Sequence, residues 1–414
     1  MNRFPYFILP SFSLSACLVL AAQFPSLDAK AANWPFFRGP NHDGVSQETD
    51  WQSNWSNEGP TVAWRKNVGI GCSSMVVVSN RVITLGNRAD KDIVTCLNAN
   101  DGSIIWSYAY PCTFEERMFE GGTASTPTID SEHVYTLSYD SQLHCLRMSD
   151  GELVWKRHLV EDFGGSPPRW KYASSPLIVD NMVILDVGGS KNSTLALDKN
   201  SGEKVWGIGR EECGYATPIP FEQDETPAVA LFKSKAMIGY ERKAGRKIWR
   251  IPWETAYDVN ASTPTILGDR LFISSGYKKG RAALYRLDGS PPRKVWENED
   301  MKTKMSSCVI VGEHLYGVTE KKARLLCIDA KSGKINWSKR GFGQYGTLTA
   351  TLNRLIVLTD SGDLVIVRAD PDSYQELARA EIHKGRCWVN PVLANGRIFC
   401  KTNQGDLACV DVRN

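Results

Sequence analysis

The stretch Ala173-Ser-Ser-Pro-Leu-Ile-Val179 is followed by Met182-Val-Ile-Leu-Asp186, then Ser193-Thr-Leu-Ala-Leu-Asp198, then Gly202-Glu-Lys-Val-Trp206. These are four short apolar-rich runs, separated by Asp-Asn, Gly-Gly-Ser and Lys-Asn-Ser-Gly. Short alternating runs bounded by turn residues predict antiparallel strands joined by tight connections. The unit recurs on both sides. Ala124-Ser-Thr-Pro127 leads through Cys145 and Gly151 to Trp155, Ala261-Ser-Thr-Pro264 leads to Trp296, and Met305-Ser-Ser-Cys308 leads through Cys327 and Gly333 to Trp337. Degenerate copies open at Cys72 and Tyr215.

A tryptophan closes most copies, at Trp64, Trp106, Trp155, Trp206, Trp249, Trp296 and Trp337. The interval of roughly 40–50 residues belongs to a β-propeller, in which one four-stranded blade is repeated around an axis. Copies beginning near residues 72, 124, 173, 215, 261 and 305 give six blades. A seventh runs from Tyr345 to Ile382, with Leu377 about where the indole is expected. The last begins near Trp388 and holds three strands before Asn414. Its missing strand stands at the front, Pro60-Thr-Val-Ala-Trp64-Arg-Lys-Asn-Val68. The expectation is an all-β, eight-bladed propeller over residues 60–414, closed by residues 60–68 joining the C-terminal blade. No run after the leader has the length and 3.6-residue period of a long amphipathic helix, which argues against a doubly wound α/β fold.

Ahead of the ring, residues 32–59 are expected to be an extended segment and residues 1–31 a secretory signal peptide. Arg3 is followed by an apolar stretch and a small-residue cleavage context at Ala29-Lys30-Ala31. Leu14-Ser15-Ala16-Cys17 resembles a lipobox, but the apolar run continues past it. Plain export to the periplasm or medium is the reading, with membrane contact only if Cys17 is lipidated. A net charge of +3 with 23% charged residues gives no field for nucleic acid.

Of eleven cysteines, Cys96, Cys145, Cys327 and Cys409 fall at the position of Ala196 and are expected to be small buried hydrophobes in separate blades. The pairing state of Cys72, Cys112, Cys213, Cys308, Cys387 and Cys400 is open. The six histidines lack metal-ligand spacing, and serines in the repeat are structural.

Ala196-Leu-Asp198-Lys-Asn-Ser-Gly202-Glu-Lys-Val-Trp206 and Cys327-Ile-Asp329-Ala-Lys-Ser-Gly333-Lys-Ile-Asn-Trp337 resemble the tryptophan-docking motif of PQQ-like (quinoprotein-type) propeller repeats. The opening Trp34-Pro-Phe-Phe37-Arg-Gly-Pro40 is similar to the segment preceding the propeller in many secreted bacterial members. The resemblance spans residues 34–414. It implies that the Asp and Gly shape the turn between third and fourth strands while the indole covers the seam to a neighbouring blade. Glu241-Arg-Lys-Ala-Gly245, Asp288-Gly-Ser-Pro-Pro292 and the Leu377 blade depart from it.

Two functions accompany that resemblance. One is a non-catalytic scaffold similar to BamB-type outer-membrane assembly propellers, with no cofactor expected. The alternative is a PQQ-dependent alcohol or polyol dehydrogenase, whose relatives hold PQQ and calcium with acidic and amide ligands, a catalytic Asp and often a disulfide between adjacent cysteines. No Cys-Cys pair and no compact acidic and amide set maps onto this sequence, and no catalytic or metal-binding residue is assigned. The scaffold is the preferred reading, acting as a monomer.

Chain entering each innermost strand lines one mouth of the central channel. That rule places Arg117, Glu120, Arg169, Trp170, Lys171, Tyr172, Tyr215, Asp258, Asn260, Lys304, Tyr345, Arg386 and Trp388 around it. Basic and aromatic groups in a concavity suit a protein partner or a small anionic or planar ligand.

Overall fold

The computed structural model describes Met1 and residues 32–414, apart from 57 and 117–119. The leader, Cys17 and Arg117 lie outside the described residues. Among the described residues no helix is long and apolar enough to cross a membrane.

Eight four-stranded antiparallel sheets form the ring. Blade 3 shows the pattern: Leu177–Val179 is innermost, followed outward by Met182–Asp186, Thr194–Asp198 and Lys204–Ile208. Blade 8 takes three strands from the C-terminus, Val392–Ala394, Arg397–Lys401 and Asp406–Asp411, and its outer strand, Thr61–Asn67, from the front. That strand runs antiparallel to the last one, with Thr61 opposite Asp411 and Asn67 opposite Asp406. The chain closes on itself as the sequence indicates. Closure completes the eighth blade, so that each sheet keeps only its short innermost edge and its outer edge.

The core is not central. It is divided among eight clusters of buried apolar side chains, each shared by two consecutive blades. Adjacent residues of one strand serve different seams: Val82 packs toward blade 8, while its neighbour Ile83 packs toward blade 2. The two middle strands of a blade are therefore buried on both faces and read as continuous apolar runs. Only the outer strands alternate, as in Ile335–Arg340, where Trp337 alone is buried.

The indoles occupy the outer strands at one register. Trp106, Trp155, Trp337 and Trp64 stand opposite Cys96, Cys145, Cys327 and Cys409, and Trp206 opposite Ala196. A large ring facing a small residue keeps the seam filled without strain. Each indole N–H then reaches the next blade: Trp155 Nε1 donates to the Lys199 carbonyl at 3.0 Å and Trp106 Nε1 to that of Met148 at 3.0 Å. The turn glycine of that next blade lies flat against the ring, since a Cβ on Gly202 would come within 2.8 Å of Trp155. Trp249 departs, donating to Gln223 Oε1 of its own blade. In blade 7 the register position belongs to Ala378, opposite Ile366, and Leu377 is the bulged residue just before it. All ten described cysteines are free thiols.

Residues 34–52 form a strap across the ends where the innermost strands finish. Trp34 exchanges two backbone hydrogen bonds with Val77 of blade 1, and the Pro35 carbonyl accepts from Ile129 of blade 2. The strap next meets blade 7, where the Gly44 carbonyl accepts from Ala350 and Ser46 donates to Ala350. It ends on blade 8, where Glu48 Oε2 takes the Gly396 N–H and Gln52 donates to the Val412 carbonyl.

Candidate functional site

The Ser/Thr immediately before each proline position has a specific task. The Ser74 N–H donates to Thr126 Oγ1, Thr126 to Ser175 Oγ, Ser175 to Thr217 Oγ1, Thr217 to Thr263 Oγ1 and Thr263 to Ser307 Oγ, all at 2.9–3.1 Å. The recurring motif is thus a chain of hydrogen bonds that steps from blade to blade around the channel. It satisfies backbone donors where no strand partner exists.

Above this chain, where the innermost strands begin, lies a cavity of about 310 Å³. Its walls carry Trp170, Tyr215, Tyr277 and Trp388, with Ser175, Thr217 and Thr263 deeper. Phe37 of the strap also lines it, so the channel is floored from the opposite side. Beside Phe37, the buried Arg38 guanidinium holds the strap down. Nη1 donates to the Thr263 carbonyl at 2.9 Å, and Nη2 to Thr265 Oγ1 at 3.0 Å and the Cys308 carbonyl at 2.6 Å. Burial pulls its pKa down to about 10, which leaves it charged at neutral pH.

Of the residues expected at the mouth, Glu120, Trp170, Lys171, Tyr172, Tyr215 and Trp388 line the cavity. Arg169, Lys304, Tyr345 and Arg386 stand next to lining residues. Arg169 lies over the Trp170 ring at 5.0 Å, Arg386 over Trp388 at 4.9 Å, and Tyr345 stacks on Trp388 with ring centroids 4.5 Å apart. Lys304 sits over the Tyr345 ring at 4.7 Å. Two expectations change. Asn260 is fully buried, its amide donating to the Lys233 and Ser234 carbonyls at 2.9 Å, so it braces the loop rather than facing a ligand. Asp258 does not line the cavity and pairs with Lys235 at 3.8 Å.

Most charges around the mouth are paired, while Arg169 instead lies over the Trp170 ring. Arg386 meets Glu120 at 2.6 Å, Lys304 meets Glu320 at 3.4 Å and Lys171 meets Glu115 at 3.6 Å. Burial pushes the Tyr215 and Tyr277 hydroxyls and the Cys72 thiol, which also borders the cavity, up to about 12. These walls stay neutral at physiological pH. Tyr139, Tyr277, Met305 and Phe37 were not anticipated. Tyr139 and Tyr277 come from connections between second and third strands, which fold over the same end of the ring.

No group of three or more His, Cys, Asp or Glu among the described residues is arranged to hold a metal ion, and the mouth carboxylates are already engaged by cations.

A closed ring of eight four-stranded blades defines the chain as a PQQ-like β-propeller. The family model described as "Outer membrane protein assembly factor BamB" matches residues 90–339, and this chain belongs to that family. It is 31% identical over 107 residues to outer membrane protein assembly factor BamB of Escherichia coli (strain K12), a match covering 23% of this chain and 26% of that relative. The alignment thus spans about a quarter of that relative's length. In fold it is similar to BamB from Moraxella catarrhalis, with TM-score 0.63, 16% identity, and coverage of 86% of this chain and 98% of that one. It is also similar to the quinohemoprotein alcohol dehydrogenase of Comamonas testosteroni, with TM-score 0.67, 13% identity, and coverage of 91% and 80%.

Proposed function

We propose that the chain is a non-catalytic periplasmic scaffold that binds a protein partner of outer-membrane assembly through the rim and mouth of its channel. Family membership supports the scaffold class. The observation that carries the binding surface is the aromatic cavity, open where the innermost strands begin and floored by the strap. The mouth connections are long there, with residues 112–116, 120–123 and 160–172 lying between blades 1, 2 and 3, and loops of this kind carry recognition on rigid scaffolds. Paired rather than clustered carboxylates favour this reading over a quinone-dependent dehydrogenase. Export would follow from the leader at residues 1–31, with Cys17 as a tether if lipidated.

Photo-crosslinking tests it. A crosslinker at Tyr345 or Arg169 of the full chain is expected to capture an outer-membrane assembly protein, and one at Asp50 on the strap side is not. Reconstitution with quinone and calcium is expected to give neither a bound chromophore nor dye reduction with alcohols. Turnover abolished by Trp170→Ala or Trp388→Ala would establish the dehydrogenase instead.

A further inference from the structure

Three features of the cavity bear on what small molecule it takes. Its dimensions come first. At about 310 Å³ it stands at the lower limit of ligand pockets, roughly 300 Å³, and Phe37 blocks passage to the other side. A chain cannot thread it, and a single ring fits it. Charge comes second. Of the basic residues in or beside the lining, Lys171, Arg386 and Lys304 are each held by a carboxylate at 2.6–3.6 Å, and Arg169 stands outside the lining over the Trp170 ring. An entering anion would have to break such a pair or be desolvated without a partner, and both are costly.

The third feature is an arc of hydroxyls on blades 3, 4 and 5. Ser175, Thr217 and Thr263 line the cavity and are almost wholly buried. Each oxygen accepts one backbone N–H from the preceding blade. Their O–H hydrogens meet no acceptor among the described residues, while the comparable hydroxyl of Ser74 donates to the Asn390 carbonyl at 3.2 Å. A hydroxyl that has accepted still carries a proton to give, and in a dry wall an acceptor there is favoured. The charged lining residues Lys171, Glu115 and Glu120 are tied up in ion pairs at the mouth, and apart from Asn390 and Ser74 the rest of the wall is mainly aromatic and aliphatic.

We infer that the channel cavity is a binding site for an uncharged single-ring aromatic molecule bearing a carbonyl-type oxygen, its ring between the Trp170 and Trp388 walls and its oxygen toward the Ser175–Thr217–Thr263 arc. The ring would displace water from apolar surface, and the oxygen would take one or more of the unspent O–H donors. This site is additional to the scaffold role: the rim and mouth connections meet the protein partner, and the cavity they surround takes the small molecule.

Three probes of nearly equal size separate the contributions: acetophenone, which is neutral with an acceptor; ethylbenzene, neutral without one; and benzoate, an anion. Ligand-observed NMR with the full chain is expected to show saturable acetophenone binding. Ethylbenzene should bind about five- to tenfold more weakly, the worth of one hydrogen bond, and benzoate more than tenfold more weakly. Phe37→Trp, which fills the floor from the strap, should abolish acetophenone binding while the thermal transition is retained. Thr217→Val should bring acetophenone down to the ethylbenzene level. Benzoate binding as tightly as acetophenone, equal binding of ethylbenzene and acetophenone, or acetophenone binding untouched by Phe37→Trp would each overturn the assignment. So would no binding of any probe. None of these results bears on crosslinking at the rim, which tests the scaffold role separately.

Discussion

Lys233 Nζ lies 2.5 Å from Asp186 Oδ1, and neither side chain has more than 1% of its surface exposed. The pair bridges blades 3 and 4. Lys233 also donates to the Ser193 carbonyl at 2.6 Å, and the Gly214 N–H donates to Asp186 Oδ2 at 2.9 Å. Burial raises the Asp186 pKa and the lysine opposes that rise. Breaking such a pair leaves a charge with no partner. Asp186→Leu is therefore expected to cost about 3–5 kcal/mol, while the double variant with Lys233→Met should recover most of that loss. Urea unfolding of the two single variants and the double variant measures the coupling.

His144 is buried against the Tyr110 ring, with centroids 4.1 Å apart, and its Nδ1 has no hydrogen-bond partner among the described residues. Burial, then the neighbouring Lys156, lowers its pKa from 6.5 to about 4. The unfolded chain therefore takes up a proton near pH 6.5 that the folded chain refuses until about pH 4. Stability tied to this histidine is complete above pH 6.5 and is lost as pH falls toward 4, with a loss of about 2 kcal/mol by pH 5. His144→Phe should remove that increment, seen as a smaller drop in urea midpoint between pH 7.5 and pH 5.

Gly202 has φ +68° and the Trp155 indole lies where a Cβ would go, at 2.8 Å. Gly268 has φ +58° with nothing within 4 Å. Alanine at 268 should cost only the backbone penalty, about 1–2 kcal/mol. Alanine at 202 should add roughly 1–3 kcal/mol for displacing the indole. Thermal melts of the two variants separate conformation from seam packing.

Arg38 links the strap to blades 5 and 6 through the Thr263 and Cys308 carbonyls. Arg38→Met keeps much of the apolar stem but orphans those acceptors, and should cost roughly 2–4 kcal/mol. Limited proteolysis is expected to cut between residues 34 and 46 first, with the blades still resistant. Cleavage starting within a blade would contradict a separately anchored strap.

The ring was legible because most repeats spell their own packing. A tryptophan, a small residue across from it and a turn glycine recur in one frame. Leu377 misled by one position because every outer strand bulges just before its docking residue, and in blade 7 no indole marks that residue, so the larger apolar side chain on the bulge was taken for it. At the mouth, the rule that chain entering an innermost strand lines the channel located Trp170, Tyr215 and Trp388. It failed for Asn260, whose amide is consumed by two carbonyls, since satisfaction of buried polar groups depends on loop geometry that spacing does not encode. Phe37 was out of reach for another reason. It approaches from the far side of the ring, more than a hundred residues before most of the walls it completes, although the dense Trp34-Pro-Phe-Phe-Arg cluster was a signal that this segment is packed.

Pairing of Thr61 with Asp411 brings the two chain ends out at the same extremity of the closing sheet. A pulling force applied across them would open that sheet one rung at a time, a peeling geometry with low resistance, rather than shearing all rungs together. The segment ahead of it changes the outcome. Tension entering at Ala32 meets the rungs at Trp34, the guanidinium clamp and the bridge at Ala350 before it reaches Thr61. The strap is thus a strain relief for the joint that closes the wheel.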